Sequence, residues 1–354
     1  MTSPTVAIVY GRVSPEAPPD EQDALVQVNA VRAALGRLGY RAIDVPLTLD
    51  LGVSAAVLRS SAPLLAFNLT ETINGHGRLI HLAPSLLDSL GIPYTGAPAD
   101  AMYLTSHKLL AKKTLASAGL DTPPWAAAAA VGGSDLFPPP YIVKSIWEHA
   151  SIGLEDSSVA QDRTALAAEI QRRAVREGIE NLFVEGYIEG REFNLALLGA
   201  PGAPKSVGAP GAPKSVGAPG APKSVGAQIL PPAEIEFVDF PEGKPRVVGY
   251  RAKWVDGSFE YGSTRRRFSF PPEDQPLLAA LADRARACWD LFGLRGYARV
   301  DFRVDEAGRP WILEINANPC IAPDAGFLAA AGRAGLSIDE VVARIIADTN
   351  GGIH

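Results

Sequence analysis

The chain has 354 residues, 47% of them apolar and 20% charged, which suits an ordinary soluble globular protein of two or three domains. A net charge of −6 argues against general binding to nucleic acid or to an anionic membrane surface. The two cysteines, Cys288 and Cys320, exclude a disulfide framework and a cysteine-built zinc site,. With no apolar run of membrane-spanning length and no basic-then-apolar start, the expected location is the cytoplasm.

Residues 1–99 alternate strand and helix signals. Val6–Tyr10 is a short apolar strand. A helix over Glu21–Leu38, capped by Asp20, places Leu25, Val28, Val31, Ala34 and Leu35 at helical spacing,. Strand-like Ala42–Val45, helix-like Ala55–Arg59, strand-like Leu64–Leu69, helix Leu82–Leu90 and strand Ile92–Thr95 follow. Such a βαβαβ series implies a parallel sheet covered by helices. Its first turn, GRVSPEAPPD, lacks the GxGxxG fingerprint, which counts against a nicotinamide enzyme,.

Residues 100–184 form a second block. Asp100 caps a helix running to Ala118, and GLDTPP stops it,. Strand Tyr141–Lys144, the loop SIWEHASIG and helix Arg163–Glu177 come next. A third block, 185–350, is introduced by strand Leu182–Glu185. It continues with strand Glu192–Leu198, an insert at 199–227, the segments Gln228–Phe237 and Val247–Trp254, and helix Gln275–Phe292. Helix Asp339–Ala347 closes the chain, with Ser337 and Glu340 in a capping-box pattern,. In the insert, GAPGAPKSV occurs three times, from Gly199, Gly208 and Gly217. These copies are too short and polar for a core, so a mobile surface loop between two strands is expected. Each copy imitates a phosphate loop, but proline replaces the glycine before the lysine and no helix follows, so it is not read as one.

The hairpin GYARVDFRVDEAGRPWILEINANP, from Gly296 to Pro319, is the most informative stretch. Val300, Phe302 and Val304 take one face of its first strand, leaving Arg299, Asp301 and Arg303 on the other. In the return strand Trp311, Leu313 and Ile315 oppose Ile312, Glu314 and Asn316. If Val304 pairs with Trp311, then Asp301 lies opposite Glu314 and Arg299 opposite Asn316, with Cβ atoms roughly 4.5–5.5 Å apart. Two carboxylates so close repel unless a cation separates them, and oxygens from Asp, Glu and Asn suit Mg²⁺ arriving with substrate phosphates. On the hairpin alone, a solvated polar face with an Arg–Asp ion pair is an equal reading. Lys144, before a loop, and Lys108, on the helix after the first domain, can reach phosphates. Loop residues His149–Gly153 can lay N–H groups over them. Each lysine alone is more often a solvated surface group; together, in this order, they mean more.

These segments resemble the ATP-grasp ligases, and within them the D-alanine–D-alanine ligases. The resemblance covers nearly the whole chain outside the insert. It rests on GIPYTG (Gly91–Gly96), SHKLLAKKTLASAGLDTPPW (Ser106–Trp125), YIVKSIWEHASIG (Tyr141–Gly153), FVEGYIEGREFNL (Phe183–Leu195), YRAKW (Tyr250–Trp254), GYARVDF and ILEINANP. It implies an α/β chain, α+β in its C-terminal part, with the ATP-grasp fold behind an N-terminal Rossmann-like βαβ domain. It also implies that ATP activates a carboxylate as an acyl phosphate, which an amine then attacks. The cofactors implied are ATP and Mg²⁺, with Mn²⁺ as the alternative ion. The partners are small amino-acid substrates, with no nucleic acid or membrane, and a homodimer is common in the family.

By the same resemblance, Asp301, Glu314 and Asn316 match the metal ligands, and Arg299 the arginine that stabilises the transferring phosphoryl group. Lys108 and Lys144 match the ATP-phosphate lysines, and Ser151 lies in the loop closing over those phosphates. Glu185 matches the adenine amino acceptor, with backbone contacts from Gly186 and Ile188, and Glu192 the ribose-binding acid. Lys253 matches another phosphate contact, and Glu16 the glutamate that holds the first substrate's amino group. Departures concern mainly the amino-acid half. The HGxxGED segment is absent, leaving Glu71 or His76 as substitutes in NLTETINGHGRLIHLAPS. In the phosphate loop His149 and Ala150 replace small or hydroxyl residues, and Ser145 replaces the proline after Lys144. In NPCIAPDAGF, Cys320 and Ile321 replace the residues of a Pro-Gly-Met run, and Ala325 stands near a substrate-binding serine position. D-alanyl-D-alanine synthesis for peptidoglycan is therefore the leading expectation, with a changed second-substrate pocket. Its rivals are a ligase making another dipeptide or conjugate and a catalytically silent nucleotide-binding regulator, against which Arg299 argues.

Overall fold

A computed structural model describes residues 3–132, 136–148, 151–199 and 226–349. Strands β1 (Thr5–Gly11), β2 (Arg41–Leu47) and β3 (Leu65–Asn68) form the expected parallel sheet, in the order β2-β1-β3. β1 is buried on both faces, as parallel strands between helices require. Its Val6 and Ile8 pack toward α1 (Pro19–Arg37), and Ala7 and Val9 toward α2 (Leu51–Ser61) and α3 (Leu82–Leu90). Asp20 does not cap α1, because the helix starts two residues earlier than expected, at Pro19 behind Pro18. Its carboxylate instead accepts from the Tyr250 hydroxyl at 2.9 Å. The expected strand Ile92–Thr95 shrinks to a single bridge between Tyr94 and Ala66.

The helix expected from Asp100 to Ala118 is broken in two. α4 (Ala99–Ser106) starts behind Pro98, with Asp100 inside its first turn rather than at the cap. His107 leaves the helix and caps α5 (Lys108–Ser117), its Nδ1 accepting from Leu110 N at 3.3 Å. An antiparallel sheet follows, made of β4 (Trp125–Ala127), β5 (Tyr141–Ser145), β6 (Val159–Ala160) and, beyond α6 (Arg163–Glu177), β7 (Leu182–Gly186). Its order is β4-β7-β5-β6. β7 thus belongs to the central sheet, whereas the sequence placed this strand at the head of the third block. His149 and Ala150 lie outside the described residues.

The third sheet contains β8 (Arg191–Gly199), β9 (Ala227–Ile229) and β10 (Ala233–Phe237). After helices α7 (Tyr250–Trp254) and α8 (Phe259–Ser263) come β11 (Thr264–Arg267), α9 (Gln275–Leu291), β12 (Tyr297–Val304) and β13 (Pro310–Asn316). The order is β11-β10-β8-β12-β13, with β9 also paired to β8. Helices α10 (Gly326–Arg333) and α11 (Ile338–Ala347) end it, the latter with the expected capping box. Sequence patterning missed α8, β11 and α10. Gly199 pairs with Ala227, so the repeat insert joins two hydrogen-bonded positions. Residues 200–225, and with them the expected mobile loop, lie outside the described residues.

One face of the third sheet, with Phe193, Val300 and Phe302, packs on α9, where Cys288 is a fully buried core residue. Ala196, Leu198 and Tyr297 share a core with β1, α10 and α11, joining the first and last domains. The remaining polar face looks into the space between the three sheets. Among the described residues no helix is long and apolar enough to cross a membrane.

Candidate active site

A cavity of about 650 Å³ opens between the three sheets. β12 and β13 supply one wall. Asp301 lies opposite Glu314 and Arg299 opposite Asn316, in the expected register. Beyond them the register slips by one, pairing Phe302 with Ile312 and Val304 with Pro310 instead of Trp311. The extra residue is Leu313, and a bulge of this kind swaps the faces of all residues beyond it. Ile312 therefore enters the core beside Ile315. Trp311 turns outward, donating to Asp305 at 2.9 Å beneath the Arg309 guanidinium. The expected alternation of Trp311, Leu313 and Ile315 fails for this reason. The bulge lets a core residue and a cavity carboxylate, Ile312 and Glu314, sit two positions apart.

Arg299 grips Asp301 through two bonds, at 2.7 and 2.8 Å, and Asn194 donates to the same carboxylate at 2.8 Å. The Asn316 amide lies between the carboxylates, donating to Asp301 at 3.2 Å and Glu314 at 3.3 Å. The ion pair and the carboxylate pair thus coexist. Amide nitrogen and oxygen have interchangeable positions in such a network, and turning the amide over aims three oxygens at one point. That donor chemistry fits a hard divalent cation. Among the described residues no three His, Cys, Asp or Glu side chains cluster as metal ligands, so an amide oxygen has to complete this set. Burial alone would lower the Arg299 pKa, but Asp301 and Glu314 outweigh it and the guanidinium stays charged.

Lys108 and Lys144 come from the central part of the chain, on α5 and β5. Lys108, at the start of α5, is buried; its Nζ donates to Glu148 O at 2.5 Å and lies 3.9 Å from Glu314. Burial lowers its pKa against the pull of Glu314,. Lys144 on β5 meets Glu185 at 2.9 Å. Sequence reasoning missed Lys112, one helical turn beyond Lys108, which meets the same carboxylate at 3.0 Å and is 1% exposed. Burial pushes Lys112 down to about 8 despite Glu185. For Glu185, burial raises the pKa but two ammonium groups more than reverse this. Its signal was the spacing of Lys108 and Lys112, which places both on one helix face.

Gly186, Ile188 and Glu192 continue the wall past Glu185. Burial raises the Glu192 pKa against Arg303, 2.9 Å away. Lys253 on α7 faces in from the opposite side, its pKa lowered by burial and then by Arg299. Ser151 adopts a left-handed φ of 64° and donates to Val248 O at 2.6 Å. Tyr250 N donates to Leu154 O at 3.0 Å, so the loop after β5 and the segment before α7 are laced together over the cavity.

Glu16 is not brought into this site. It is exposed in the turn after β1, outside the cavity lining, because that turn runs outward before Pro19 starts α1. His76 is likewise exposed and outside. Glu71 and Asp23 line that end instead. Glu71 is pushed up to about 7, first by burial and then by Asp23, against the Gln27 hydrogen bond and the charges of Arg299 and Lys253. Cys320 donates to Asp23 at 3.0 Å, and Arg266 of β11 reaches the cavity from beside Asp324. Three lining hydroxyls, of Thr70, Ser106 and Thr264, are buried with no hydrogen-bond partner among the described residues. Orphaned polar atoms of this kind suit a polar ligand.

The family model "D-ala D-ala ligase C-terminus" matches residues 242–347. A D-alanine–D-alanine ligase of Pseudomonas putida (strain GB-1) is 29% identical over 350 residues, covering 97% of this chain and 92% of its own. The uncharacterized protein y4sG of Sinorhizobium fredii is 27% identical over 284 residues, covering 80% of this chain and 73% of its own. The crystal structure of D-alanine–D-alanine ligase from Bacillus anthracis complexed with ATP superposes with a TM-score of 0.68 at 20% identity, covering 97% of this chain and 96% of that one. Three sheets converging on a charged cavity define an enzyme with the ATP-grasp fold. Over nearly its whole length the chain is similar to D-alanine–D-alanine ligases, and its residues 242–347 match the C-terminal model of that family.

Proposed function

We propose that the protein is an ATP-dependent carboxylate–amine ligase that activates an amino-acid carboxylate as an acyl phosphate and joins it to an amine, releasing ADP and phosphate. The observation carrying this is the juxtaposition of Arg299 and the Asp301–Glu314–Asn316 set with Lys108, whose Nζ is 3.9 Å from Glu314. Phosphoryl transfer asks mainly for positioning and charge stabilisation, and this corner supplies both. Lys108, Lys144 and Lys253 hold the ATP phosphates beneath the Ser151 loop. Gly186 and Ile188 offer backbone groups to the adenine, and Glu192 receives the ribose. Glu185 already binds two lysines, so it orients Lys144 as well as facing the base. Asp301, Glu314 and Asn316 would hold Mg²⁺, which neutralises phosphate charge when bound. Arg299 stabilises the charge that develops on the transferring group and on the tetrahedral centre.

D-alanyl-D-alanine is the first product to test, since the relatives carry that name. The altered end with Asp23, Glu71, Cys320 and Arg266 favours a second reading, another dipeptide or amino-acid conjugate,. Incubation with Mg-ATP and pools of D- and L-amino acids, read by phosphate release and product mass, separates these. D-alanyl-D-alanine alone supports the first and another conjugate the second. Silence across all pools overturns the ligase reading. Glu314→Gln is expected to lower turnover at least about 100-fold, the scale of losing one transition-state charge contact, with an unchanged circular dichroism spectrum. Undiminished turnover removes Glu314 from the site.

A further inference from the structure

We propose that Glu71 takes the proton from the attacking amine in the ligation step, an inference that rests on the ligase function proposed above. An amino acid at neutral pH carries an ammonium, whose nitrogen has no free electron pair. The proton must leave before that nitrogen can attack an acyl phosphate. Its acceptor has to face the cavity on the Arg299 side with an oxygen to spare.

Glu71 meets both conditions. It lines the cavity with Arg299 and Lys253. Gln27 donates to its Oε1 at 2.5 Å, and among the described residues no other hydrogen bond reaches the carboxyl, leaving Oε2 open. Gln27 is itself buried, and its Oε1 accepts from Ile321 N at 3.3 Å. Gln27 of helix α1, itself fixed by the segment after β13, thus holds the carboxyl that the segment after β3 presents. The neighbouring Thr70 hydroxyl, buried on the same wall and unpartnered among the described residues, gives an ammonium a second acceptor. Of the other acids at this end, Asp23 accepts from the Cys320 thiol, Asp301 is held by Arg299, and Asp324 lies in the field of Arg266. The groups whose charge acts on Glu71 are Asp23 from α1, Arg299 from β12 and Lys253 from α7. The Tyr297 hydroxyl and the Cys320 thiol, both pushed up by burial, stay neutral beside it. A carboxyl pKa of about 7 suits proton transfer near neutral pH.

In this step an N–H bond breaks, its proton passing to Oε2 and its electron pair staying on nitrogen. Nitrogen bonds to the acyl carbon. The C–O bond to phosphate then breaks and its electron pair leaves on phosphate, which takes the second proton from nitrogen so that an amide N–H remains, and Glu71 returns its own proton to solvent.

Hydroxylamine, mostly neutral at pH 7, attacks acyl phosphates without such help and provides the test. The wild-type protein, Mg-ATP, hydroxylamine and the amino-acid pools should yield a hydroxamate; a wild type that makes neither hydroxamate nor peptide defeats the ligase reading itself. Given hydroxamate, Glu71→Gln is expected to lose about 100-fold or more in peptide formation, the usual effect of losing a general base, and to lose far less in hydroxamate formation. Equal losses in both, or peptide formation within a few fold of wild type, overturn the role of Glu71. The wild type alone gives an independent check should the variant fold poorly. Its peptide formation should fall about tenfold per pH unit below pH 7, while hydroxamate formation should fall only at lower pH, where hydroxylamine itself takes up a proton; coincident profiles overturn the proposal.

Discussion

The environment that raises the Glu71 pKa also has a thermodynamic cost. Its ordinary value is 4.5 and its folded value about 7. Below pH 4.5 both folded and unfolded chains hold the proton. Between pH 4.5 and 7 the unfolded chain releases it first, so stability falls as pH rises through this window and levels off above it,. The shift amounts to roughly 3 kcal/mol. Glu71→Gln has no such slope, so its stability relative to wild type should improve by about that amount between pH 4 and pH 8 in urea unfolding. A difference independent of pH would refute the assignment. Residue identity was partly legible in the sequence. Glu71 stood out because an expected motif was missing around it. Glu16 was matched only through the family resemblance, which does not say which way the turn after β1 projects. Lys112 was overlooked because its partner, Glu185 on β7, is 73 residues further along the chain.

Among the elements, local patterns fixed type and tertiary contacts fixed breaks. The Asp301–Glu314 pairing was legible from alternation, whereas the Leu313 bulge was not, since one added apolar residue leaves an apolar stretch looking the same. SHKLLAKK reads as unbroken helix, yet Lys108 N donates to Ile146 O at 3.1 Å, and that bond to the end of β5 starts a new helix behind His107. β7 joined the central sheet because its partner is β5, a choice no local pattern records. Glycines of two recognised motifs meet here. Gly296 has φ 69°, and a Cβ there would lie 2.9 Å from Gly96 N and 3.0 Å from its Cα, backbone that cannot move aside. Gly296→Ala should cost about 1–2 kcal/mol for the left-handed backbone and at least about 1 more for the overlap. Gly293, φ 60° with open space around it, supplies the control, whose alanine variant should show only the backbone cost. Equal destabilisation of both in urea would mean that the Gly96 contact is immaterial.

The molecule as a whole works at the meeting of its sheets. The first contributes Glu71, the second Lys108, Lys144 and Glu185, and the third Arg299 and the Asp301–Glu314 pair. Tyr250 ties the third part to the first through Asp20, and to the second through Leu154. Against this geometry the two ends of the repeat insert, Gly199 and Ala227, leave the third sheet away from the cavity. β8 passes the cavity at Glu192 and Asn194, where Asn194 pairs with Asp301, and reaches the insert only at Gly199. At about 3.3 Å per residue that is roughly 16 Å along the strand, with the core shared by Leu198 and Tyr297 beside it. The cost of closing a longer loop grows only as the logarithm of its length, so the third copy of the repeat costs the paired Gly199–Ala227 end little. Removing two of the three GAPGAPKSV copies should therefore leave both ATP-dependent turnover and stability in urea close to wild type, within a few fold and about 1 kcal/mol. A loss of turnover at unchanged stability would show instead that the insert reaches back over the cavity mouth and belongs to its lid.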